Sequence, residues 1–105
     1  MALTVCAGLQ AKDYVLDVRT PGEIEDTGKI PGALVADFRS STFKSVIEGY
    51  KFDPKSDTIA VYCRSGRRAG QVIEILKEYG FPDGALKNLG GYRDAAKTLN
   101  VPLVK

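Results

Sequence analysis

Cys63 stands in the segment Cys63-Arg64-Ser65-Gly66-Arg67-Arg68, which sets a thiol, a glycine turn and three guanidinium groups side by side. A cysteine acts as a nucleophile through its thiolate, and nearby cations or a helix N-terminus favour that form. Arginine offers a planar fork of donors suited to oxyanions. The segment thus joins a nucleophile to a receptor for an anionic substrate. A cysteine that only fills a core needs neither the turn nor the arginines. Cys63 is the catalytic candidate, and Arg64, Ser65, Gly66, Arg67 and Arg68 form the substrate-binding loop. Arg68 has a second reading, as the partner of a carboxylate.

The rest of the composition narrows the chemistry. There is no histidine, so imidazole catalysis and His-ligated metals are excluded. Cys6 is the other thiol, and two cysteines are too few for a four-thiolate zinc site. Neither a metal nor a cofactor is expected. The two cysteines carry no disulfide signature, and Cys6 is read as incidental. With 15 basic and 13 acidic side chains the net charge is +2, without the dominant basic surface of a nucleic-acid binder. No run approaches the roughly 20 apolar residues of a membrane span. Ala2–Leu9 is apolar but short, and it lacks the basic start of a signal peptide. A length of 105 residues, 44% of them hydrophobic and 27% charged, suits one globular domain over the whole chain.

The elements around Cys63 follow from short apolar runs broken by turn residues. Tyr14–Val18 is rich in strand formers. Thr20 before Pro21 reads as the N-cap of a short helix that stops near Gly28, with Glu23, Glu25 and Asp26 near its positive end. Leu34–Phe38 is a second strand and Ser41–Glu48 a second helix, closed by Gly49. Thr58–Tyr62 is a nearly continuous apolar run, the pattern of a strand covered on both faces. Cys63 lies at its carboxyl end. Val72, Ile75, Leu76 and Tyr79 recur at helical spacing after Gly66, and Gly80 closes that helix. Ala85–Leu89 is the last strand, Gly90-Gly91 follows it, as a close backbone approach, an ordinary turn or both, and Tyr92–Leu99 is the last helix. Strands alternating with helices predict an α/β domain with a mostly parallel central sheet. Sites in such sheets form outside the carboxyl ends of the strands.

Four segments in order resemble the rhodanese superfamily. They are Leu16-Asp17-Val18-Arg19-Thr20-Pro21-Gly22-Glu23, Gly28-Lys29-Ile30-Pro31-Gly32-Ala33, Val61-Tyr62-Cys63-Arg64-Ser65-Gly66-Arg67-Arg68-Ala69 and Asn88-Leu89-Gly90-Gly91. The similarity extends over almost the whole chain and is greatest to small, stand-alone members. It implies a rhodanese-like fold, with a mostly parallel sheet flanked by helices. It implies a thiosulfate sulfurtransferase in which Cys63 takes the outer sulfur of thiosulfate as a persulfide and passes it to cyanide or a thiol. It leans towards a periplasmic setting, with a signal removed. Lys29 stands where the family usually has histidine, and Ala95 where many members have tryptophan. Asp17 and Arg19 are possible supporting residues, bracing the loop or forming an ion pair, and Gly90 and Gly91 let backbone approach the loop.

Other functions fit less well. Cysteine phosphatases and arsenate reductases carry their loop arginine six positions after the cysteine, where this chain has Ala69. A non-catalytic binding module would not need Cys63. A persulfide relay fed by a protein or polysulfide donor shares the same chemistry and differs only in its partner.

Overall fold

The computed structural model describes residues 12–105; Cys6 and the apolar run Ala2–Leu9 lie outside the described residues. Four strands, β1 (Asp13–Asp17), β2 (Leu34–Val35), β3 (Thr58–Cys63) and β4 (Leu86–Gly91), form one sheet. Its order is β2-β1-β3-β4, and every neighbouring pair is parallel. Helices α1 (Pro21–Thr27), α2 (Phe43–Tyr50), α3 (Arg67–Glu78) and α4 (Tyr92–Leu99) alternate with the strands. This is the α/β, parallel-sheet architecture that the alternating pattern predicts.

Strand β3 is flanked by β1 and β4, which explains its unbroken apolar run. Its side chains alternate between two cores, as a strand of period two requires. Ile59, Val61 and Cys63 join Leu16, Val18, Ala69, Val72 and Leu76 on one face. Tyr62 joins Ile30, Ala33, Leu89 and Ala95 on the other. Each fully buried Val or Leu contributes about 1.5–3 kcal/mol by leaving water. Ala95 is fully buried in the second core, so the last helix packs closely without the bulk of a tryptophan at that position.

Several boundaries differ from the sequence expectation. Strand β2 covers Leu34–Val35 only. Beyond it Asp37 turns the chain, its carboxylate accepting from the Arg39 N–H and its carbonyl from the Ser40 N–H. Helix α2 runs through Gly49 to Tyr50. The Tyr50 hydroxyl donates to the Val35 carbonyl and its ring packs on Phe52, and this anchoring carries the helix past the glycine. Tyr79 is exposed and follows α3 rather than joining its buried face, with its hydroxyl donating to Glu48. Strand β4 continues through Gly90-Gly91, and Ala85 belongs to the 3-10 turn before it. The glycine pair is therefore strand, not turn. A bulge makes this fit: Val61 is opposite Asn88, whereas Tyr62 is opposite Gly90 and Cys63 opposite Gly91.

Candidate active site

The site is built where β3 gives way to α3. Cys63 is the last residue of the strand, and Gly66, at φ +99°, turns the chain into the helix. That left-handed conformation favours glycine. The turn folds the start of α3 back over the cysteine. The Sγ atom of Cys63 accepts from the Gly66 N–H at 2.9 Å and from the Ala69 N–H at 3.4 Å. Among the described residues, the N–H groups of Ser65, Arg67 and Arg68 have no hydrogen-bond acceptor. Unpaired N–H groups at a helix N-terminus favour negative charge. The sulfur therefore accepts from two backbone donors at the start of a helix, a setting suited to an anion.

The loop arginines divide into two kinds. Arg64 and Arg67 are exposed, and their side chains take part in no ion pair among the described residues. Arg68 is largely buried and grips Glu23 through two parallel bonds of 2.8 Å, Nη1 to Oε1 and Nη2 to Oε2. The bond from Arg68 holds the Glu23 carboxyl well below its ordinary range, at about 2. The same bond raises the pKa of Arg68. Glu23 also closes a capping box with Thr20 at the start of α1. One carboxylate thus ties the first turn of α1 to the first turn of α3. Ser65 is exposed at the tip of the loop.

Backbone contacts fix the loop from its other side. The Asn88 side-chain amide donates to the Gly66 carbonyl at 3.0 Å and accepts from the Gly90 N–H at 2.8 Å. A Cβ on Gly91 would overlap the Arg64 carbonyl oxygen, and one on Gly66 would lie 3.2 Å from the Gly90 Cα. Glycine at both positions lets β4 and the loop touch backbone to backbone.

Among the described residues, no hydrogen bond or ion pair joins Asp17 or Arg19 to the loop. They form a buried ion pair with each other at 2.8 Å, 0% and 1% exposed. Arg19 also donates to the Thr27 hydroxyl and the Gly28 carbonyl, and it lies over the rings of Tyr62 and Tyr92. Burial works against its charge, but the Asp17 carboxylate more than offsets this, and the guanidinium pKa is raised. Lys29 donates from Nζ to the Ala33 carbonyl at 3.0 Å, a bond within its own turn. Two participants were not assigned to the site from the sequence. Glu23 shows there only as an acid at a helix start, because its partner is 45 residues away. Asn88 shows only as part of the last motif.

The comparisons with known proteins agree with this geometry. The sequence matches the rhodanese-like domain over residues 4–98. It is 33% identical to thiosulfate sulfurtransferase PspE of Escherichia coli, over 91% of this chain and 86% of that protein. It is 31% identical to a putative mitochondrial thiosulfate sulfurtransferase of Schizosaccharomyces pombe, over 74% of this chain and 56% of that one. Among solved structures, a rhodanese with anions from E. coli superposes with a TM-score of 0.66 at 30% identity, covering 89% of this chain and 98% of that one. These matches, over a parallel sheet whose strand ends in a cysteine that accepts from two backbone N–H groups, make the chain a member of the rhodanese-like family.

Proposed function

We propose that the protein is a thiosulfate sulfurtransferase working through a persulfide on Cys63. The observation that carries this reading is the pair of N–H bonds from Gly66 and Ala69 to the Cys63 sulfur. The Cys63 thiolate attacks the outer sulfur of thiosulfate. A bond forms between the two sulfurs, and the S–S bond of thiosulfate breaks, its electron pair leaving on sulfite. The negative charge passes to the terminal sulfur of the new persulfide, where the unpaired N–H groups of the loop stabilise it. Arg64 and Arg67 are the loop cations left for the sulfonate end, because Arg68 is committed to Glu23. Sulfite is a good leaving group, so no general acid is required. In the second step cyanide or a thiolate attacks the terminal sulfur and Cys63 leaves as thiolate. This is covalent, ping-pong catalysis.

Intact mass after incubating the reduced protein with thiosulfate tests the reading. The parent gains one sulfur atom and releases sulfite, and a Cys63→Ser variant of unchanged fold gains none. A folded, reduced parent that stays unmodified by thiosulfate would overturn thiosulfate as donor. A gain from polysulfide alone would then mark a persulfide relay.

A further inference from the structure

Asn88 lies on β4, outside the cysteine loop, and its side-chain amide makes two bonds. Oδ1 accepts from the Gly90 N–H at 2.8 Å, and Nδ2 donates to the Gly66 carbonyl at 3.0 Å. The first bond spans the bulge, where Asn88 is opposite Val61 and Gly90 is opposite Tyr62. The second bond leaves the strand and ends on the loop. An amide serves both ends because it carries a donor and an acceptor on one rigid plane.

The loop end of this bridge lies one residue from the reacting sulfur's environment on either side. Gly66 is the residue whose N–H donates to the Cys63 sulfur at 2.9 Å. Its carbonyl accepts from the Gly70 N–H at 3.0 Å as well as from Asn88. That carbonyl shares a planar peptide unit with the Arg67 N–H, and in a trans peptide the two point in opposite directions. Two donors on the carbonyl therefore hold the Arg67 N–H facing back out of the helix start, where it has no acceptor among the described residues. They also polarise the peptide, which strengthens that N–H as a donor.

We propose that Asn88 is a positioning residue for sulfur transfer. It acts through Gly66, holding one N–H on the Cys63 sulfur and aiming the next, that of Arg67, to where an anion gains from it. The inference rests on the sulfurtransferase reading and adds to it a residue beyond the cysteine loop. The Arg64 and Arg67 side chains are left for the sulfonate end, so Asn88 governs the speed of loading rather than the hold on thiosulfate. A residue that only braced the bulge would need its acceptor towards Gly90 and not its donor towards Gly66.

Single-turnover loading of Cys63 is measured over a range of thiosulfate concentrations in the parent, Asn88→Asp and Asn88→Ala, beside urea unfolding of each. Asn88→Asp keeps the shape and the acceptor for Gly90 but sets a carboxylate oxygen against the Gly66 carbonyl. Asn88→Ala removes both bonds and adds no charge. Asn88 is exposed and belongs to neither core, so both variants are expected to fold. In both, the maximal loading rate falls about tenfold, part of the roughly hundredfold that about 1 Å of misplacement can cost. The half-saturating thiosulfate concentration stays within about twofold of the parent's, as for an interaction made in the transition state. A parent-like maximal rate in either folded variant would overturn the inference. So would a rise in the half-saturating concentration alone, which would assign the amide to thiosulfate binding. Failure of the parent to load from thiosulfate would instead count against thiosulfate as donor, and loading from inorganic polysulfide would then carry the same comparison. A parent that loads from neither removes the sulfurtransferase reading and this inference with it.

Discussion

In the proposed mechanism Cys63 supplies the nucleophile, and its reactivity then depends on the position of backbone atoms that no substitution of a charged side chain would reveal. Gly91 also sets this position from outside the loop. It pairs with Cys63 across the sheet, and its missing side chain lets the Arg64 carbonyl rest against the strand. Gly91→Ala therefore drives a methyl group into the Arg64 carbonyl, with backbone on both sides and no flexible group to yield. The loop must move, and the N–H groups of Gly66 and Ala69 move with it. The expected result is a 10- to 100-fold slower sulfur loading from thiosulfate, the scale of roughly 1 Å of misplacement. Stability should fall by about 1–3 kcal/mol, as for other overpacked sites. Single-turnover loading beside urea unfolding measures both. A parent-like loading rate in a folded Gly91→Ala protein would mean that the loop keeps its geometry without this contact.

At the scale of elements, the sequence shows which pieces exist better than how they join. Tyr14–Val18, Thr58–Tyr62 and the Val72–Leu76 spacing announce their strands and helix because burial imposes a period on them. The end of β4 was not legible: Gly90-Gly91 has the composition of a turn, and only the bulge opposite Val61 and Tyr62 turns it into strand. The link between α1 and α3 was half legible. The Thr20 and Glu23 spacing is that of a capping box, whereas the Glu23–Arg68 pair spans 45 residues and leaves no local trace. This pair has a pH signature. The Glu23 carboxyl lies at about 2, below its ordinary 4.5, so its stabilisation is complete above pH 4.5 and is lost as the pH falls through 2. The shift corresponds to about 3 kcal/mol at neutral pH, which solvent around this part-exposed pair reduces to on the order of 2 kcal/mol. Glu23→Gln should be less stable than the parent by about that amount at pH 7, and the gap should close between pH 4.5 and 2. Denaturant unfolding of both proteins across this range measures it. A gap that stayed constant down to pH 2 would mean that the carboxylate's charge contributes nothing.

For the molecule as a whole, the Asp17 and Arg19 pair joins elements from different parts of the chain. Asp17 and Arg19 were legible as a pair of charges at a strand end, but sequence could not say whether they faced the loop or each other. The answer is set by burial, which a single sequence does not display. Both are enclosed, and Arg19 bonds Asp17 of β1, Thr27 of α1 and the Gly28 carbonyl while lying over Tyr62 of β3 and Tyr92 of α4. Arg19→Met strands the Asp17 carboxylate in the interior and takes one of its two donors from the Gly28 carbonyl. Breaking a buried pair from one side costs about 3–5 kcal/mol, a large part of the roughly 5–15 kcal/mol that holds a domain folded. The double variant Asp17→Asn, Arg19→Met removes both charges, and it should recover part of that loss because no lone charge remains. Urea unfolding of the parent, the single variant and the double variant separates the two outcomes. Recovery in the double variant would assign the pair to the architecture. If instead Arg19→Met kept the parent's stability while sulfur loading from thiosulfate collapsed, Arg19 would belong to the active site.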